Sequence, residues 1–314
     1  MKLQRFAFAL AGAGLFAATA VSGSAVAADP KPSPAVKLAK SKVAAAKSSA
    51  AELCYSWAGW VDPAGALQSA EIYPGKPPTS APSLGFKFVG VRASGTWYGA
   101  FDASDRLYFY GLFLQGGNLY RHATTVSDAG VITPKATKVG SGWTSFKTIA
   151  TSNYSIAQPR HTHLYALNAN GSLYRYSQVG TAFRALGSFP GFKSFKAMTV
   201  ISETATYDTL LMTTTAGAIY TVRIPVAATA KPALKLIRST GFAPYEALTA
   251  HTCGTRGGSL ILGIDHDTDS AFQYAFSKAN GAATAITAYG KAPDVFNGTT
   301  TAPFTTHYDQ LVGE

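Results

Sequence analysis

Beyond residue 50, apolar and polar positions alternate with a period of two in short runs separated by Gly, Asn, Asp and Pro. The clearest example runs from Val139 to Ser177. Leu164-Tyr165-Ala166-Leu167 and Leu173-Tyr174-Arg175-Tyr176 flank Asn168-Ala169-Asn170-Gly171-Ser172, which predicts a β-hairpin closed by an Asn/Gly turn. Upstream, Gly140-Ser141-Gly142-Trp143 predicts a turn into a strand led by Phe146-Lys147. Together they predict one antiparallel sheet unit.

That unit recurs. Phe86-Lys87, Phe146-Lys147, Phe195-Lys196, Tyr245-Glu246 and Phe296-Asn297 succeed one another at 60, 49, 50 and 51 residues. Leu119-Tyr120-Arg121, Leu173-Tyr174-Arg175, Ile219-Tyr220 and Phe272-Gln273-Tyr274 follow in step. A repeat near 50 residues built from four short strands predicts an all-β fold, a β-propeller whose blades bury their faces only against neighbours. The last copy has only 18 residues after Phe296, so Leu53–Tyr73 is expected to supply its missing strands. The prediction is five blades, with the ring closed by pairing of N- and C-terminal strands.

The segments Gly-Ser-Gly-Trp-x-x-Phe-Lys (140–147) and Leu-Tyr-Ala-Leu-x-x-x-Gly-x-Leu-Tyr (164–174) resemble the repeat of tachylectin-type five-bladed propeller lectins. The resemblance spans residues 51–314 and is sharpest in this one repeat. It implies carbohydrate binding, with pockets for N-acetylated sugars between blades. Trp143, on a turn before its strand, is one candidate contact. Asn168, Asn170, Arg121 and Arg175, on or beside hairpins, are candidates for hydrogen bonds to hydroxyl or acetamido groups. Each has a structural alternative, a solvated turn or an internal hydrogen bond. Ser94–Arg106 carries Trp97, Tyr98 and Phe101. It is either an aromatic lip on which a sugar stacks, with Trp97 the candidate, or packing under a long loop. Phe146 and Phe195 are expected in the core.

Composition changes this picture little. Thirty Gly and 16 Pro supply turns, and 18 Phe with 16 Tyr favour strands. The formal charge of +11 is concentrated at the start. Residues 1–50 hold seven of the 27 basic residues and one of the 16 acidic ones, leaving 20 against 15 in 51–314. A surplus of about five gives little reason to expect nucleic acid as a partner. Residues 1–28 carry Lys2 and Arg5, an apolar stretch Phe6–Val21 and Ala25-Val26-Ala27, the pattern of a secretory signal with no membrane anchor retained after cleavage. Residues 29–50 are Lys/Ala/Ser/Pro-rich without an aromatic and predict a flexible tether. The expected location is extracellular, the expected partners are glycans or cell-surface polysaccharide, and a protein partner on a ring face is the alternative. Cys54 and Cys253 invite a disulfide in an exported chain, the alternative being two buried thiols.

Reacting groups are scarce. Only five Glu are present, and of the expected inner strands only the one with Glu246 carries an obvious acid. That is one carboxylate where a glycosidase normally needs two, so no enzyme, catalytic residue or cofactor is expected. His161-Thr162-His163 places two imidazoles on one side of a strand, a metal-compatible spacing, but no third ligand stands nearby in sequence and no metal is expected. Asp265-His266-Asp267-Thr268-Asp269 alternates acids like a calcium loop but lacks its Gly and its closing Glu, and it falls where a hairpin turn belongs.

Overall fold

The computed structural model describes residues 55–74, 79–81, 88–101, 106–127, 131–227, 231–252, 257–292, 296–298, 300–306 and 310–314. The expected signal and tether, the pair Cys54 and Cys253, and Phe86-Lys87 lie outside them. Among the described residues the chain is all-β, and no helix is long and apolar enough to cross a membrane.

Twenty-one strands follow one another. The first eight are β1 (Ser56–Val61), β2 (Leu67–Ile72), β3 (Thr79–Ala81), β4 (Val91–Ser94), β5 (Trp97–Phe101), β6 (Leu107–Gln115), β7 (Asn118–Val126) and β8 (Ile132–Ser141). Three four-stranded meanders come next. Sheet II holds β9 (Phe146–Tyr154), β10 (His161–Asn168), β11 (Leu173–Val179) and β12 (Ala182–Phe189). Sheet III holds β13 (Phe195–Glu203), β14 (Tyr207–Thr214), β15 (Ile219–Pro225) and β16 (Ala233–Arg238). Sheet IV holds β17 (Ala247–His251), β18 (Ser259–Asp265), β19 (Ser270–Phe276) and β20 (Ile286–Ala292). The last strand, β21 (Thr300–Thr306), pairs antiparallel with β1 and parallel with β5. It thereby joins half V (β21, β1, β2, β3) to half I (β4–β8) in one nine-stranded sheet. Four-stranded sheets of this kind are consistent with a propeller.

Burial falls from the first strand of each meander to the last. β13 and β14 are buried almost throughout, whereas β12 and β16 are mostly exposed. The first strands pack in cyclic order, β4 on β9, β9 on β13, β13 on β17, β17 on β21 and β21 on β4.

One backbone hydrogen bond recurs five times and sets the true phase of the repeat. The amides of Phe88, Trp143, Phe192, Phe242 and Phe296 donate to the carbonyls of Gly65, Gly117, Gly171, Gly217 and Asp269, each in a turn between two strands of the preceding sheet. All five aromatic rings are buried, so each latch couples a turn to a wedge of core between sheets. Close approach explains the glycine at two of these turns. A Cβ on Gly171 or Gly217 would stand 2.7 Å from Lys193 or Ala243, and both have φ near +86°.

This phase corrects two alignments. Phe296 occupies the position of Trp143, not that of Phe146. The first inner strand starts at Val91, three residues after Phe88 as Phe146 is three after Trp143, instead of at Phe86. Ser94–Arg106 also differs from expectation. It contains a strand, β5, whose Trp97 is fully buried against Phe88, Phe113 and Phe304 and whose indole N–H reaches Ser94 Oγ at 3.2 Å. A ring with no exposed face cannot stack on a sugar, so Trp97 is a core residue.

Candidate functional site

Successive side chains of a strand point to opposite faces, so each second strand serves two inter-sheet junctions. The register makes its positions comparable. Tyr110, His163 and Thr209 pair with Ala123, Ser177 and Arg223 at the same step of β6, β10 and β14. Two residues earlier stand Tyr108, His161 and Tyr207. The residues between the members of these pairs, Thr162 on β10 and Asp208 on β14, face the junction before.

At the I–II junction these positions surround a cleft of about 420 Å³. Tyr98, Tyr108 and Tyr110 form one wall in a near-parallel row, with neighbouring centroids 5.5 Å apart and planes within 27°. Phe183 lies opposite with the Arg121 guanidinium 6.0 Å from its centroid. Asn153, Thr162 and Gln178 complete the polar lining. The Tyr98 hydroxyl donates to Thr151 O at 3.1 Å, fixing the innermost ring, and burial raises its pKa, so it remains a phenol. Burial lowers the pKa of Arg121. The arrangement is flat apolar faces beside several hydrogen-bonding groups, with no carboxylate among the described residues that line it.

At the II–III junction the same positions close on themselves. Asp208 is fully buried. Its Oδ2 accepts from Ser152 Oγ at 2.8 Å, His163 Nδ1 at 2.9 Å and Tyr165 OH at 2.7 Å, and its Oδ1 faces His161 Nε2 at 3.0 Å. Burial would push this carboxyl up, but the bonds from both imidazoles outweigh it and hold the pKa well below the usual carboxylate range. Nearby Glu203 is buried, accepts the Asn153 amide at 2.7 Å, and is pushed by burial up to about 8. At the III–IV junction the C-terminal Glu314 carboxylate pairs with Arg223 at 2.9 Å and accepts the Thr209 hydroxyl.

The other cavity, of about 220 Å³, lies among the first strands. Arg92, Lys147, Lys196 and Glu246 follow the lead residue of β4, β9, β13 and its counterpart Tyr245, and all line it. Arg92 donates to the carbonyls of Gly116, Trp143 and Phe146, and Lys196 lies 3.2 Å from Glu246. Glu246 is the only carboxylate among the described residues that line it.

Of the six residues expected at a sugar site, the structure places only Arg121 in the cleft. Trp143 is buried, 4.7 Å from the Phe146 ring and 5.0 Å from that of Tyr176. Arg175, the counterpart of Arg121, is buried and donates to the carbonyls of Pro225 and Ala227. Asn168 Oδ1 and Asn170 Oδ1 accept the amides of Asn170 and Ser172, shaping the hairpin turn. Trp143, Arg175 and Asn168 are buried, Asn170 shapes an exposed turn away from the cleft, and Trp97 is core. The Asp265 carboxylate accepts the amides of Asp267 and Thr268, so it too shapes a turn. The residues that reasoning from sequence missed are Tyr108 and Tyr110, whose signal was an aromatic at alternate positions of one strand, and Phe183 and Gln178, which had none.

No family model and no curated protein matches the chain. Among solved structures it is similar to the fucose-specific lectin from Aleuria aurantia, at 15% identity over 82% of this chain and 80% of that one, TM-score 0.44. AofleA from Arthrobotrys oligospora aligns at 13% identity over 80% of this chain and 73% of that one, TM-score 0.44. The catalytic domain of a Coprinopsis cinerea GH62 α-L-arabinofuranosidase aligns at 14% identity over 68% and 74%, TM-score 0.43. Similarities this distant transfer neither ligand nor chemistry to this chain.

Proposed function

We propose that this chain is an exported, non-enzymatic carbohydrate-binding protein, a five-bladed propeller with its ring closed by β1 and β21, that binds sugar in the I–II cleft. The five latches, the cyclic packing of the first strands and the β1–β21 pairing support the blade count. The observation that carries the function is the cleft itself. A pyranose offers apolar C–H faces and a rim of hydroxyls, and the tyrosine row with Phe183 suits the first as Arg121, Asn153, Thr162 and Gln178 suit the second. Neutral or N-acetylated sugars are the ligand class. A hydrolytic role has less support, because among the described residues neither cavity is lined by two carboxylates.

The test is a glycan array followed by calorimetry on wild type, Tyr110→Ala and Arg121→Ala. The expected result is selective binding, competed by free monosaccharide and weakened at least tenfold in both variants while their melting temperatures stay near wild type. Silence on the array, or binding unchanged in both variants, overturns the proposal.

A further inference from the structure

We propose that His161, His163 and Asp208 bind a divalent first-row transition metal of the zinc type at the II–III junction. Two imidazole nitrogens and a carboxylate oxygen, all within 4.8 Å of one another, converge there from two sheets. Ligands about 2.0–2.2 Å from a tetrahedral ion sit roughly 3.3 Å apart. The observed His161 Nε2–Asp208 Oδ1 and His163 Nδ1–Asp208 Oδ2 distances, 3.0 and 2.9 Å, open slightly to admit one, while the widest separation among the three ligand atoms, up to 4.8 Å, has to close. A neutral imidazole can hold its proton on either ring nitrogen, so a shift of tautomer turns a donor toward Asp208 into a lone pair without adding charge. The Asp208 carboxylate is the group that supplies negative charge to the cation.

The surroundings fit as well. Ser152 Oγ and Tyr165 OH both donate to Asp208 Oδ2 and would keep orienting the carboxylate once the imidazoles turned to the metal, the role that outer-shell partners play in zinc sites. Two nitrogens and one oxygen suit zinc, whereas calcium and magnesium favour all-oxygen sets. Packing does not require this combination. The same positions hold Tyr108, Tyr110 and Thr162 one junction earlier. The His161 side chain, 8% exposed, is the most accessible of the three.

The experiment uses the whole protein, stripped with chelator and dialysed against Zn²⁺, Ca²⁺ or Mg²⁺, with bound metal measured by mass spectrometry. Co²⁺ absorption reports the ligand set. The expected result is about one equivalent of Zn²⁺, no Ca²⁺ or Mg²⁺, and visible Co²⁺ bands characteristic of low coordination number. His161→Gln, at the most accessible of the three side chains, and Asp208→Asn should each lower Zn²⁺ affinity at least tenfold. Wild-type protein that takes up no Zn²⁺ and gives no Co²⁺ bands overturns the proposal whatever the variants do. So does uptake that His161→Gln leaves unchanged, since the ion would then be held elsewhere in the chain.

Discussion

Between half I and sheet II, Tyr108, Tyr110 and Thr162 surround open space. Between sheets II and III their register counterparts His161, His163 and Asp208 hydrogen-bond and fill it. Arg121 stands over Phe183 at the first junction, whereas Arg175 at the second is latched to the carbonyls of Pro225 and Ala227. The second strands are in equivalent register, but β5 adds Tyr98 to the first junction, whereas at the second a buried carboxylate gathers Ser152, His161, His163 and Tyr165. Where a central acceptor gathers the polar groups, the sheets are stapled. Where aromatic rings line the walls without a central acceptor, a cleft remains. Function and cohesion are thus alternative uses of one set of positions.

The sharpest way to break this comparison is to empty the stapled junction. Asp208→Ala strands two imidazoles, a phenol and a serine hydroxyl in a buried space and should cost about 3–5 kcal/mol in urea unfolding. Thr162→Ala, at the matching position of the open junction, should cost under about 1 kcal/mol. Equal losses would mean the two junctions are energetically alike. The arginine pair comes next. Arg175→Ala should destabilise by roughly 2–3 kcal/mol, because buried carbonyls lose charged donors, whereas Arg121→Ala should lie within about 1 kcal/mol of wild type and be visible in sugar binding instead.

A smaller effect tests whether a third junction is stapled too. His251, on β17, is buried and accepts the Trp57 amide of β1 through Nε2 at 3.0 Å. Burial lowers its pKa from 6.5 to about 4. In that window the unfolded chain holds a proton that the folded protein does not, so stability is full above pH 6.5 and falls as the pH drops toward 4. Followed from pH 7 to 4, the melting temperature of wild type should fall relative to that of His251→Gln. Parallel curves would remove His251 from the account.

Much of the repeat could be read from Gly, Asn and aromatic spacing, because a hairpin turn and a wedge ring are local demands. Its phase could not be read everywhere. Trp143-x-x-Phe146, Phe192-x-x-Phe195 and Phe242-x-x-Tyr245 carry two aromatics and align unambiguously. Phe88-x-x-Val91 and the segment after Phe296 retain one, and a lone Phe fits either position. The site was harder still. Hairpin-flanking Asn168 and Arg175 looked like exposed recognition residues, yet both are buried and their polar atoms serve a turn and a neighbouring sheet.

By itself the amino-acid sequence determined the alternation that makes strands, the turns that end them and the count of wedge aromatics, since all three depend on residues within a few positions of one another. Only the tertiary structure decided which junction opens and which closes. That outcome rests on pairs such as His163 and Asp208, 45 residues apart in the chain and 2.9 Å apart in space, and on whether a neighbouring sheet offers each polar side chain a partner.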